Sequence, residues 1–333
     1  MENDFRKENN NMASIKDVAK EAGVAISTVS KVLNNYPNIS IDTREKVERA
    51  VKKLKFVPNK MASALSSKYA GRIAIVIDQT AQETPIDEVD MRYLSGALAK
   101  AKELGLDVIT IFYSMFKDWT HDDFCAYLRS ESIGGLVMFG VSKDDNVLIK
   151  LAKNREYKCV LVDADIVNPS TSCVWIDQAQ AQYDVISEVL KTDNVGSMLY
   201  ISGKQNGFVT DYRTDAVKRL CEERGISLTV ADGEFSEDRA REITLNEGRN
   251  YGMIACASDM MAIGTISALT QMDVFKPVCG FDGITLMKYV GNHVLTVKQD
   301  FYGISMAAVD ELYALMHGSK GRDIKIPYEV VRL

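Results

Sequence analysis

Between Ile26 and Thr43 the chain carries side chains suited to the edges and backbone of a nucleic-acid duplex. Ile26 could pack on a thymine methyl, and Lys31 could reach guanine O6 or N7; with Ser27 they are the base-reading candidates. Thr28, Ser30, Asn34 and Thr43 are short polar groups suited to phosphate oxygens, contacts that set register without reading sequence. Other chemistry is poorly represented. There is no Gly-x-Ser-x-Gly elbow, and Gly203-Lys204 is followed by Gln205 without the upstream spacing of a phosphate loop. His121, His293 and His317 are far apart and show no nucleophile spacing. The six cysteines (Cys125, Cys159, Cys173, Cys221, Cys256, Cys279) form no Cys-x-x-Cys pair, so neither a zinc site nor a cofactor is expected. Scattered single cysteines read as small buried apolar side chains in a reducing cytosol.

The duplex-facing residues need helices to carry them. Ser14 can cap a first helix, with Asp17 completing a capping box, and Val18, Ala19 and Ala22 form its apolar face. Gly23 breaks it, as a tight turn between crossing helices requires. A second helix runs from about Ala25 to Asn34; Val29, Val32 and Leu33 face inward, and Ile26, Ser27, Ser30, Lys31 and Asn34 outward. A third, capped by Ser40 or Asp42, runs from Thr43 to Leu54, with Val47, Ala50, Val51 and Leu54 at helical spacing. Two helices joined by Gly with a supporting third is the helix-turn-helix geometry, which lays the outer face of the second helix in the major groove. The same three helices could also form a plain docking domain.

Charge separates the ends of the chain. Residues 1–70 hold 13 Lys and Arg against 8 Asp and Glu; residues 71–333 hold 27 against 38. A basic head on an acidic body suits a head that meets phosphate. At 333 residues and 46% apolar the chain can hold two or three packed units. No apolar run is long enough for a membrane span. Residues 1–12 read as a disordered polar leader without the core of a signal peptide, and Met12 could equally be the start. Domain boundaries are expected at 13–57 for the head, 58–70 for a hinge helix and linker opened by Pro58, and 71–333 for the body.

From Gly71 onward, buried strands alternate with helices: strands at 72–78, 108–112, 135–139, 159–163, 198–202 and 253–257, with a helix from Tyr93 to Leu104 closed by Gly105. Continuous apolar strands between helices imply parallel sheets covered on both faces. Two such sheets with a ligand between their strand C-terminal ends is the expected layout. The chain closes on what reads as a final strand from Ile324, with no heptad tail, so a coiled-coil tetramer is not expected.

The stretch from Ile15 to Asn34 resembles the head of the lactose-repressor (LacI/GalR) family, Ile-x-Asp-Val-Ala-x-x-Ala-Gly-Val-Ser-x-x-Thr-Val-Ser-Arg-Val-Leu-Asn. It departs at Ala25, where the family usually has Ser, and at Lys31, where it usually has Arg. Ala25 removes a helix cap and a phosphate contact; Lys31 replaces a bidentate fork by a point charge. The resemblance implies a homodimeric transcription regulator, a repressor whose two heads read the halves of a palindromic operator. It implies that the hinge places Asn59 near phosphate and wedges Leu65 into the minor groove. For the body it implies a periplasmic-binding-protein-like fold of two subdomains, about 71–177 with 294–318 and 178–292 with 319–333, crossing near Asp177, Asn292 and Gly318.

The family's body motifs are worn here. Asp211-Tyr212-Arg213 resembles the stretch whose Arg holds a small-molecule effector, with Ala216 and Val217 for its Gly and aromatic. Ala257-Ser258-Asp259, Gly280-Phe281-Asp282-Gly283 and Thr296-Val-Lys-Gln299-Asp300 resemble three more, and Asp177 follows the crossover strand. The resemblance thus implies an effector site of Arg213, Asp259, Asp282, Asp177 and Gln79, with Phe235 as a stacking face, suited to a sugar or related polar metabolite. Arg213 and Asp259 could instead be a structural ion pair. Near Glu88, Val89 and Asp90 a carboxylate replaces the family's stacking rings, which points to a more polar or cationic ligand, or to none. A solute-binding protein would share the body but not the basic head. A regulator with a degenerate cleft and a protein partner is the alternative.

Overall fold

The computed structural model of the protein describes residues 14–33, 39–54, 71–77, 88–290 and 294–333. Asn34, Asn59, Leu65 and Gln79, with the leader and the hinge, lie outside the described residues. The chain divides into two compact units, Met1–Ala70 and Gly71–Leu333.

In the first unit, helices α1 (Ile15–Ala22), α2 (Ile26–Leu33) and α3 (Ile41–Lys53) share one small core. Val18, Val29, Val32, Val47, Ala19 and Ala50 are buried in it, with Ile15, Val24, Leu33 and Leu54 packed against them. The Ser14 hydroxyl accepts from the Asp17 amide while the Asp17 carboxylate accepts from the Ser14 amide at 2.9 Å, closing the capping box. Those bonds from Ser14 hold Asp17 below the usual carboxylate range. Gly23 takes a left-handed conformation (φ 67°), and its amide donates to the Ala19 carbonyl. At α3 the cap is Ser40, whose hydroxyl accepts from the Thr43 amide.

The second unit has strands β1 (Arg72–Ile77), β2 (Asp107–Phe112), β3 (Gly135–Phe139), β4 (Lys158–Val162), β5 (Thr171–Trp175), β6 (Ser197–Ser202), β7 (Ser227–Asp232), β8 (Met253–Cys256), β9 (Val278–Cys279), β10 (Leu295–Gln299), β11 (Asp323–Lys325) and β12 (Tyr328–Arg332). Helices α4 (Glu88–Glu103), α5 (His121–Ser130), α6 (Asn146–Asn154), α7 (Gln178–Val189), α8 (Phe208–Arg224), α9 (Glu237–Glu247), α10 (Asp259–Gln271) and α11 (Phe301–Met316) alternate with them. One six-stranded sheet runs β11-β5-β4-β3-β1-β2 and is parallel throughout. The other runs β12-β10-β9-β8-β6-β7 and is parallel except for β12 against β10. The strand order reverses between β1 and β3 and again between β6 and β8, so each sheet opens a crevice at its strand C-terminal ends there. Among the described residues no helix is long and apolar enough to cross a membrane.

Three details depart from the sequence expectations. The crossings expected near Asn292 and Gly318 come later. Leu295–Gln299 pairs with β9 and β12 in the second sheet, so the chain crosses at Asp300 and α11 packs against α4 in the first. The final strand is two strands in different sheets: β11 pairs with β5, and β12 with β10. Pro327 between them has no amide to donate and ends the first pairing. Helix α4 starts at Glu88, ahead of Tyr93.

Helix α11 sits close because α4 is shaved at Gly96. A Cβ there would lie 2.2 Å from Ser305 Oγ and 2.3 Å from the Tyr302 carbonyl oxygen. At the edge of the first sheet the buried Glu311 carboxylate accepts from Ser172 Oγ at 2.8 Å and from both Arg322 Nε and Nη2 at 3.0 and 2.8 Å. These bonds seat β11 beside β5 and compensate the burial of the charge.

Candidate functional site

On the head, the outer face of α2 is where the sequence places it. Ala25, Ile26, Ser27 and Lys31 are exposed, and Thr28 and Ser30 half-buried, while Val29 and Val32 hold the opposite face in the core. Ile26 is an apolar side chain left 45% exposed on a helix whose core positions are already filled. The Ala25 carbonyl accepts from the Thr28 and Val29 amides, but its methyl side chain offers no acceptor to the first turn. Thr43 is half-buried, its hydroxyl 2.8 Å from that of Ser40. Lys53 pairs with Glu21 at 2.7 Å, tying the end of α3 to the end of α1.

In the body, a polar group gathers at the crevices. Arg213, on α8, is buried; its Nε donates to Gln178 Oε1 at 2.9 Å, its Nη1 donates to the Ala257 carbonyl at 2.5 Å, and its guanidinium lies 3.7 Å over the Phe281 ring. Gln178 Nε2 in turn donates to Asp163 at 2.9 Å, just past β4. Burial pushes the Asp163 carboxyl up, against the Gln178 bond and the Arg213 charge. Tyr93 on α4 stacks on Phe139 (4.4 Å between centroids) and meets the edge of Phe301 (5.1 Å). Burial pushes its hydroxyl well above the ordinary range, and the charges of Asp163 and Asp282 add to that. Residues of both sheets therefore face one space.

Asp282 adopts φ 125°, a region costly for a residue with a Cβ. Its carboxylate accepts from Gln299 Nε2 at 2.9 Å. Gln299 is itself buried, and its Oε1 has no hydrogen-bond partner among the described residues. A buried acceptor left unpaired is uncommon and points to a missing donor.

The comparisons with known proteins bear on both regions. Residues 14–59 match the sequence profile of bacterial regulatory proteins of the lacI family. The head thus carries the lacI-family signature. The regulator MalR of Clostridium butyricum is 24% identical over 323 residues, covering 91% of this chain and 92% of its own. RegA of Clostridium saccharobutylicum is 27% identical over 325 residues, with the same coverages. Among solved structures, the lac repressor dimer bound to operator and the anti-inducer ONPF has a TM-score of 0.77 at 21% identity, covering 96% of this chain and 98% of that one. The CelR–cellobiose complex has 0.71 at 19%, covering 96% and 99%. The head thus matches that of DNA-binding regulators, and the body shares the two-sheet fold of the lac repressor and CelR structures.

Within that body the residues named from sequence take unequal places. Arg213 and Asp282 belong to the polar group. Asp259 and Arg213 are not an ion pair with each other. Asp259 is fully buried, accepting from Thr296 Oγ1 at 2.6 Å and from the Ile284 amide at 2.9 Å, and burial pushes its carboxyl up. It fastens the loop that carries Phe281 and Asp282. Asp177 caps α7 with one oxygen and pairs with Lys325 at 2.7 Å through the other, joining two crossing segments. Phe235 lies over Gly203, where a Cβ would sit 1.9 Å from the ring, in a turn where Glu234 and Phe235 both have positive φ. Tyr93, Phe139, Asp163 and Gln178 were not singled out, and Gln299 was named only within a motif. Asp163 had the one usable signal, a carboxylate ending an apolar strand.

The rims are bridged. Glu88 accepts from the Thr285 amide and hydroxyl at 2.7 and 2.8 Å, and pairs with Arg92 at 2.7 Å. Burial would raise Glu88, but the Thr285 bonds and the Arg92 charge outweigh it and hold the carboxyl low. Elsewhere Lys143 pairs with Asp211, Asn206 Nδ2 donates to Asp144, and Tyr212 donates to Asp165 at 2.8 Å. The carboxylate that stands where the family has rings is thus a latch across the cleft.

Proposed function

We propose that this regulator is a cytosolic homodimeric repressor that reads a palindromic operator and takes a small hydroxylated molecule in the cleft between its sheets. The observation that carries the ligand is the Gln299 Oε1, unpaired among the described residues, beside the strained Asp282, within a cleft that also holds Arg213 and Asp163. Ligand hydroxyls would donate to Gln299 and the carboxylates and accept from Arg213, with Tyr93 and Phe139 as the apolar wall. Met91 and Leu98, seven apart on α4 and both about half exposed, support a second copy docking along that helix.

In this reading Ile26, Ser27 and Lys31 meet bases. Thr28, Ser30, Asn34, Thr43 and Asn59 meet phosphate, and Leu65 wedges the minor groove. Calorimetry of the full chain against sugars, nucleosides and amino acids tests the cleft. One class should bind wild type and fail to bind Arg213→Ala. Operator binding should fall steeply with salt, since phosphate contacts supply much of the affinity, and Leu65→Ala should weaken it. A flat salt dependence would count against the DNA reading. The Glu88–Thr285 latch supports a second reading, a cleft held shut by its own side chains and controlled by a protein partner. A silent panel with intact operator binding would favour it.

A further inference from the structure

Away from the cleft, on the first subdomain, nitrogen, sulfur and oxygen donors converge. His121 opens α5 and Cys125 follows one turn later on the same face. Glu156 comes from the turn after α6. His121 Nε2 lies 3.6 Å from Cys125 Sγ, and Glu156 Oε2 lies 3.8 Å from it. The ligand atoms of all three fall within 4.8 Å of one another. Neither a Cys-x-x-Cys pair nor paired histidines mark this place in the sequence, so no metal site was expected. What marks it is His-x-x-x-Cys, which a helix turns into a pair of neighbours.

The spacing suits a metal ion. A tetrahedral zinc with bonds of about 2.3 Å to sulfur and 2.0–2.1 Å to nitrogen or oxygen holds such donors ~3.5 Å apart. His121 Nδ1 is 3.3 Å from Asp122 Oδ1. Cys125 Sγ lies 3.9 Å from Nδ1 as well as 3.6 Å from Nε2; a proton on Nδ1 shared with Asp122 would leave Nε2 free to take a metal, the outer-sphere support that metal-bound histidines generally have. His121 and Cys125 are buried while Glu156 is exposed, so the cluster opens to solvent on the carboxylate side.

We propose that His121, Cys125 and Glu156 form a mononuclear site for a thiophilic divalent cation of the zinc type, with water as the fourth ligand. The Cys125 S–H bond breaks, its proton leaves to solvent, and the metal–sulfur bond takes its place. The site lies within the body and does not include the residues of the Arg213 cleft.

The test uses the reduced, chelator-treated full chain titrated with Co²⁺ and then Zn²⁺. One Co²⁺ per chain should bind, with a thiolate-to-cobalt charge-transfer band in the near ultraviolet that Zn²⁺ abolishes. Cys125→Ser should remove the band, and His121→Gln should lower cobalt affinity at least tenfold. Glu156→Gln, at an exposed position that does not threaten the fold, should lower it severalfold while keeping the band. Absence of the band at one equivalent overturns the proposal. So does a band that survives Cys125→Ser, which would locate the thiolate among the five other cysteines, all buried. Should Cys125→Ser fail to fold, cobalt affinity unchanged in both other variants overturns it equally.

Discussion

The head and the body cleft are built on opposite plans. In the head, the exposed residues that face outward from α2 lie within one helix of eight residues, and the six side chains buried beneath them come from three neighbouring helices. In the cleft, the group around Arg213 draws on α4, β3, β4, α7, α8, β8, the loop after β9 and β10. A surface written on one helix can change its contacts one side chain at a time without touching the core. A site assembled from strand ends is stiff but interdependent, because most of its members also hold a neighbour. Arg213 supports the Ala257 carbonyl, Gln178 supports Arg213, and Asp259 supports the loop that presents Asp282.

That contrast can be broken experimentally. The largest effect is expected from Val29→Asp, an unpaired carboxylate in the head's small core costing roughly 3–5 kcal/mol. Far-ultraviolet circular dichroism should show loss of the head helices and operator binding should disappear, while the body's melting temperature holds. A body that melts early as well would contradict two independent units. Next, Arg213→Ala leaves Gln178 and the Ala257 carbonyl without their donor and should cost the body about 2–4 kcal/mol by denaturant titration, with the head unaffected.

Glu88→Gln should be smaller, below about 1 kcal/mol, because solvent screens the latch. Here the sign matters. The folded Glu88 carboxyl is held below its ordinary 4.5, so the latch stabilises above that pH and is lost as pH falls through the lowered value. Glu88→Gln should flatten that acid limb of the body's stability profile, and an unchanged limb would remove the latch from the account. The smallest effect is a gain: Ala25→Ser supplies the acceptor that α2 lacks and should stabilise the head by about 0.5–1 kcal/mol in a thermal melt.

Legibility followed the same division. Caps, the Gly23 turn and the inward Val and Ala positions of the head all follow from contacts three or four residues apart. The strands of the body were readable as apolar runs. Their sheet membership was not, and so β10 and the split between β11 and β12 were misjudged. Of the cleft, a motif could point to Arg213 and Asp282. It could not separate Asp282, which joins the polar group, from Asp177 and Asp259, since all three are acidic groups next to a strand or turn. His121 and Cys125 were adjacent in the helical period, but Glu156 joins them only through the packing of α5 near the end of α6.

The sequence by itself determined the elements and the chemistry each can offer, because helix caps, turns and apolar periodicity act over a few residues. It determined that a basic helical head precedes an acidic α/β body. Only the tertiary structure decided which carboxylate faces the cleft, which one caps a helix and which one latches the rim. Those roles depend on burial and on partners tens to hundreds of residues away, as with Glu88 and Thr285 or Asp177 and Lys325. No local pattern encodes such distances; the crossing of two sheets does.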